Sequence, residues 1–153
     1  NYSIKTEGSL MVPRVAKVNA AARRERTWFI QGDACALPAV GQFQLVSAAN
    51  LICRLPDPML FINQLSNLIV PGGMLVLTTP YTWLADFTPP SKWLGGYTDA
   101  ATGKAVSGFE GLKKVLEKDF IFVEDKDVSF VIRETARKNQ WTVAHLTAWV
   151  RRS

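Results

Sequence analysis

Asn67-Leu68-Ile69-Val70-Pro71-Gly72-Gly73-Met74-Leu75-Val76-Leu77-Thr78-Thr79 holds the change of pattern that decides how this chain is read. Upstream of it, Met59 to Val70 carries apolar residues at Leu60, Phe61, Leu65, Leu68 and Ile69, the spacing of one helix face, broken only by Gln64. Pro58 suits the first turn of that helix and Asp57 its N-cap. Pro71-Gly72-Gly73 stops the helix, and Met74–Thr78 (MLVLT) follows as a strand. Ahead of the helix lies another nearly continuous apolar run, Phe43–Ala49 (FQLVSAA), of the kind buried on both faces in a parallel sheet. Strand, loop, helix and strand in this order predict a right-handed crossover in a parallel sheet, and so an α/β fold.

Working outward, Thr27–Gln31 is a further strand candidate that runs into Gly32-Asp33-Ala34-Cys35-Ala36-Leu37-Pro38. Ala20 to Arg26 (AAARRER) is polar, a helix end or a loop, and residues 2–20 give no clear period. Pro80 to Gly108 is rich in Tyr, Trp, Pro and Gly. A stretch of that length between regular elements is usually a functional loop or a lid. Glu110–Leu116 then reads as a helix. Phe120–Val131 and Trp141–Arg151 read as two long strands around a charged bend, Arg133–Gln140: an antiparallel pair added to the parallel sheet.

The chain has 153 residues, 48% of them hydrophobic and 20% charged, which fits one globular domain able to bury a core without metals or disulfides. Its net charge of +5 mildly favours anionic ligands, without a Lys/Arg stripe of the nucleic-acid-binding kind beyond Arg23-Arg24-Glu25-Arg26. Cys35 and Cys53 have no metal or redox spacing, and one histidine leaves no Cys/His metal set, so no metal site is expected. No apolar run approaches a membrane span. The expectation is a cytoplasmic protein with no nucleic-acid or membrane partner.

In open parallel sheets, ligands bind beyond the carboxyl ends of the strands. Asp33, Asn50 and Thr79 each fall at such an end. Asp33 there can accept a hydrogen bond from an exocyclic amine such as that of adenine, and the Ala34 N–H can donate to the ring. The plainer reading is an Asp bonded to its own turn.

The helix ending in Pro71-Gly72-Gly73 before a buried strand, with GDA-x-x-LP one strand earlier, resembles class I S-adenosylmethionine-dependent methyltransferases. Three further stretches are similar to one family, the N-methyltransferase of ovothiol biosynthesis, which methylates the imidazole of a thiol-bearing histidine. They are Asn50-Leu51-Ile52-Cys53-Arg54-Leu55-Pro56-Asp57-Pro58, then Trp83-Leu84-Ala85-Asp86-Phe87-Thr88-Pro89-Pro90 with Lys92-Trp93-Leu94-Gly95-Gly96, and Phe130 to Lys138 (FVIRETARK). The likeness runs from about residue 27 to the C-terminus. It implies a Rossmann-like methyltransferase sheet and S-adenosylmethionine as cofactor, with Asp33, Ala34, Asn50 and Leu51 on the cofactor side.

The implied partner is a thiohistidine-like small molecule. Its carboxylate calls for an arginine, Arg54, Arg133 or Arg137, and its ring for the aromatic walls Tyr81, Trp83 and Trp93, with Tyr97 in the same loop. The chain departs from the family in one respect: no G-x-G-x-x-G-like stretch occurs anywhere in it. Residues 1–153 are therefore expected to be a single, incomplete methyltransferase domain lacking the N-terminal glycine-rich half. An open sheet edge on such a piece invites pairing with a second copy. No catalytic residue is expected, because a neutral imidazole nitrogen already carries its lone pair. His145, flanked by Ala144 and Leu146, reads as structural. The competing reading is a non-catalytic Rossmann-like remnant or interaction module that binds no cofactor.

Overall fold

The computed structural model describes residues 1–153 and separates them into two units, residues 1–31 with 129–142, and residues 32–128 with 143–153. In the first unit Tyr2–Lys5 (β1) pairs antiparallel with Met11–Arg14 (β2) across a turn in which Gly8 takes a φ of +51°. Lys5 O accepts the Ala136 N–H at 2.8 Å, which ties residue 136 to β1. Arg24–Arg26 forms one 3₁₀ turn with no buried residue. The strand expected at Thr27–Gln31 does not form. The segment joins no ladder and leaves Trp28 and Phe29 exposed, 76% and 93%. Apolar β-formers become a strand only when a neighbour takes up their backbone groups.

The second unit begins at Gly32. Its elements are Phe43–Ala49 (β3), Pro58–Ile62 (α1), Leu65–Leu68 (α2), Ile69–Thr79 (β4), Tyr97–Thr98 (β5), Ala105–Val106 (β6), Gly108–Leu116 (α3), Phe120–Arg133 (β7) and Asn139–Arg151 (β8), the last two running out into the first unit. The main sheet has the order β3-β4-β8-β7. β3 lies parallel to β4 (Leu45↔Met74 to Ala49↔Thr78), and β8 runs antiparallel to β4 (Met74↔Val150 to Thr79↔His145). The short Glu134–Lys138 turn permits only an antiparallel β7–β8 pair. The crossover and the appended antiparallel pair are thus both present.

Pro71-Gly72-Gly73 does not end the helix: it lies inside β4, which begins at Ile69 rather than at the expected Met74. The β3–β4 register jumps from Phe43↔Ile69 to Leu45↔Met74, so residues 70–73 leave the ladder as a bulge. Gly72 takes a φ of +74°, and a Cβ on Gly73 would come within 2.9 Å of the Val70 carbonyl oxygen. The expected helix over 59–70 is two short ones, and it stops at Leu68. The break falls at Gln64, whose side chain turns outward: Nε2 donates to Leu60 O (2.7 Å) and Ala34 O (3.1 Å), and Oε1 accepts from the Leu37 N–H (3.0 Å).

Helices α1 to α3 contribute Phe61, Leu65, Leu112 and Leu116 to a core shared with Leu75, Leu77, Phe120 and Trp149. Two-sided burial of Phe43–Ala49 is not seen. Leu45 is 57% exposed, since its face of the sheet carries no helix layer, while Ala48 on the other face is buried. α3 is fixed at its start by a capping box, Ser107 with Glu110. It approaches the preceding loop closely enough that a Cβ on Gly111 would lie 1.3 Å from the Leu94 carbonyl oxygen.

Candidate functional site

Two non-glycine residues of the chain have a left-handed backbone, Asn50 (φ 52°) and Tyr81 (φ 53°). Both stand just beyond the carboxyl ends of neighbouring strands, β3 and β4. Asn tolerates that conformation; for a ring as large as tyrosine it is an outlier. Asn50 is held by Thr78, whose carbonyl and Oγ1 accept its N–H (2.8 and 3.1 Å) and whose hydroxyl donates to its Oδ1 (3.1 Å). Leu51 begins the following 3₁₀ turn and is half-buried. Tyr81 is held by the buried Thr79, whose Oγ1 accepts its N–H at 3.1 Å. Its ring rests on Gly108, where a Cβ would come within 2.2 Å of it.

The Tyr81 hydroxyl lies 2.9 Å from His145 Nδ1, and His145 Nε2 lies 2.8 Å from Asp125 Oδ2. His145 is packed edge-on against Phe109, with ring centroids 5.0 Å apart. Burial, and after it the charge of Asp125, push the Tyr81 phenol well above its usual range. This chain of three groups was not legible in the sequence. It depends on the register that sets His145 beside Thr79, the last residue of β4, and on β8 lying between β4 and β7. The only local signal was the charged stretch Glu124-Asp125-Lys126-Asp127 that interrupts the strand run.

The aromatic loop supplies further walls. Trp83 stacks on Trp93 with centroids 6.5 Å apart, and Trp93 Nε1 donates to Thr88 O at 2.8 Å. Trp83 is 8% exposed and its indole N–H has no partner. Gly96, at φ +83°, lies beside it. A Cβ there would stand 3.9 Å from that nitrogen, an ordinary contact, so it is the positive φ that calls for glycine. Arg54 pins this loop: Nη1 donates to Thr82 O (2.7 Å), Nη2 to Thr82 Oγ1 (3.3 Å), and the guanidinium sits 5.2 Å from the Phe87 ring centroid. A cleft of about 610 Å³ opens on the far side of the loop, lined by Lys92, Trp93, Tyr97, Lys104, Glu110 and Lys114.

Asp33 is exposed. Its Oδ1 accepts the Cys35 N–H at 2.8 Å and its carbonyl the Ala36 N–H at 3.0 Å, the hydrogen bonding of a turn. Its second carboxylate oxygen and the Ala34 N–H remain outside these bonds. Arg133 and Arg137 are exposed residues of the first unit. The structure thus holds Tyr81, Trp83 and Trp93 in one loop, pinned by Arg54 from the turn after β3, and sets Asn50 and Tyr81 beyond adjacent strand ends.

No protein-family model matches the chain, and no curated protein does. Solved structures do. A protein from work on the conversion of a disulfide bond into a thioacetal group during echinomycin biosynthesis shares 12% identity over 79% of this chain and 54% of its own, with a TM-score of 0.54. An S-adenosylmethionine-dependent methyltransferase of Methanosarcina mazei shares 14% over 79% of this chain and 65% of its own, at 0.51. A candidate methyltransferase of Bacillus halodurans C-125 shares 15% over 80% and 71%, also at 0.51. The chain spans little more than half the length of the first solved structures it matches. The fold is therefore the Rossmann-like α/β fold of methyltransferases.

Proposed function

We propose that this chain forms the acceptor-side part of an S-adenosylmethionine-dependent N-methyltransferase that acts on a small heteroaromatic molecule, the imidazole of a thiohistidine. The observation that carries the reading is the pair of left-handed residues, Asn50 and Tyr81, beyond adjacent strand ends of a methyltransferase-type sheet. Strain of this kind persists where surrounding structure imposes it, and it concentrates at ligand sites. The three sequence stretches similar to the ovothiol methyltransferases support the choice of acceptor.

The residues present fit the cofactor at its adenine end. The Asp33 turn leaves one carboxylate oxygen and the Ala34 N–H for an amine and a ring nitrogen. When bound, S-adenosylmethionine supplies an electrophilic methyl group on a sulfonium. Everything else asked of the chain is positioning and exclusion of water, which can carry much of such a reaction. Tyr81 and Trp93 offer aromatic faces to a flat ring, with Trp83 stacked behind Trp93. Arg54 holds the loop that carries them.

The test is methyl transfer from labelled S-adenosylmethionine to 5-thiohistidine by the protein in its full natural length. Labelled N-methyl product supports the reading. Absence of transfer, with no S-adenosylhomocysteine bound, favours the non-catalytic module instead.

A further inference from the structure

We propose that Tyr81, His145 and Asp125 form a proton relay that accepts the proton released by the acceptor ring as its nitrogen is methylated. The inference rests on the N-methyltransferase reading given above.

The direction of the relay follows from hydrogen-bond chemistry. The Asp125 carboxylate only accepts, so the His145 nitrogen facing it at 2.8 Å, Nε2, carries the hydrogen. In a neutral ring Nδ1 is then bare, and the Tyr81 hydroxyl 2.9 Å away donates to it. That arrangement leaves the Tyr81 oxygen with lone pairs able to accept a further hydrogen bond. Tyr81 is also the residue whose placement is most constrained. Its backbone is left-handed, its N–H is held by Thr79, and its ring is seated on Gly108, where no side chain other than hydrogen fits. A cross-strand polar network made only for stability would have no need of this conformation, which costs on the order of 1–3 kcal/mol. Because the phenol stays protonated far above neutral pH, Tyr81 passes a proton on rather than storing charge.

The step balances. The bare ring nitrogen of the acceptor gives its lone pair to the methyl carbon of a sulfonium donor, and the carbon–sulfur bond breaks with its pair left on sulfur. The proton on the other ring nitrogen passes to the Tyr81 oxygen while the Tyr81 hydroxyl proton passes to His145 Nδ1. The resulting imidazolium is balanced by Asp125 and returns its proton to solvent after product leaves. Tyr81 is the residue that touches the acceptor; His145 and Asp125 act through it.

His145 is the only histidine in the chain, so ¹⁵N-histidine labelling gives one pair of ring-nitrogen signals with no assignment problem. The expected spectrum at neutral pH shows a pyrrole-like Nε2 and a pyridine-like Nδ1. Tyr81→Phe should move the Nδ1 signal and spare Nε2; Asp125→Asn should release the tautomer into a mixture. A protonated Nδ1 in the neutral wild-type ring would overturn the relay. In the methyl-transfer assay Tyr81→Phe should lower kcat by roughly 10²-fold, the usual contribution of a positioned acid–base group, with S-adenosylhomocysteine affinity held within about twofold. Asp125→Asn serves as the second variant should Tyr81→Phe misfold, with a smaller loss of kcat. An unchanged kcat in a folded Tyr81→Phe protein sinks the relay alone, whereas a wild-type protein that transfers no methyl group removes the relay together with the functional reading.

Discussion

Asn50 and Tyr81 take the same unusual backbone for different reasons, and substitution separates them. At Asn50 the side chain closes a local network with Thr78, so Asn50→Gly should retain most stability. Asn50→Ala should lose about 1–2 kcal/mol, the cost of left-handed backbone for an ordinary L-residue. Chemical denaturation of both variants checks this. Equal losses would mean that the side-chain bonds, not the backbone, matter. The sequence marked both positions as candidates, by their places after strand ends and in the aromatic loop. It could not show the Tyr81–His145–Asp125 chain, because those residues lie 20 and 64 positions apart and meet only through strand order. Gln64 was missed for another reason. Read along the helix it is a polar fault in an apolar face, yet its side chain is what fixes the turn that carries Asp33 and Ala34.

Among the elements, α1 and α3 show how local signals set the site's frame. Asp57 caps α1 through the Met59 N–H (3.0 Å) and pairs with Lys92 of the aromatic loop. The hydrogen bond from Lys92 is the main reason its carboxyl sits below the ordinary value, with the backbone N–H bonds of Met59 and Leu60 adding to it and burial opposing. A folded-state value lowered in this way stabilises the protein above the unfolded carboxyl value, and the benefit is lost as pH falls through the depressed one. Acid unfolding of Asp57→Asn should therefore show a weaker pH dependence below about pH 4; an unchanged acid limb would remove the role of this pair. For α3, Gly111→Ala should destabilise by about 1–3 kcal/mol, because backbone and not a flexible side chain must give way. A neutral result in thermal unfolding would contradict the close approach to Leu94.

The change from helix to strand was legible because its period changes within a few residues, although the strand begins at Ile69, ahead of Pro71-Gly72-Gly73. The bulge inside it was not, since it arises from register against β3. Thr27–Gln31 shows the converse: its residues favour a strand, and the structure offers no ladder for it.

For the whole molecule, the boundary between the two units after Gln31 follows an exposed segment containing Arg23, Arg24 and Arg26, in which no residue is buried. Limited trypsin digestion should cut there and at the exposed Arg133, Arg137 and Lys138 of the same unit before it cuts within residues 32–128. Early cleavage at Lys113 or Arg151 instead would contradict the compactness of the second unit. β3 forms one edge of the sheet, and its parallel partner β4 carries the strand ends that define the site. The Rossmann-like fold can thus be read from local crossover geometry in a chain spanning little more than half the length of a solved structure that shares it.

The central claim, that the Asp33 turn holds the adenine end of a methyl donor, is tested most directly by titration calorimetry with S-adenosylhomocysteine on the full-length protein and on its Asp33→Ala variant. The account predicts saturable binding by the wild type and at least about tenfold weaker binding by the variant, the loss of one hydrogen bond to a charged group. Equal affinity in the two proteins, or no binding by the wild type, would contradict it.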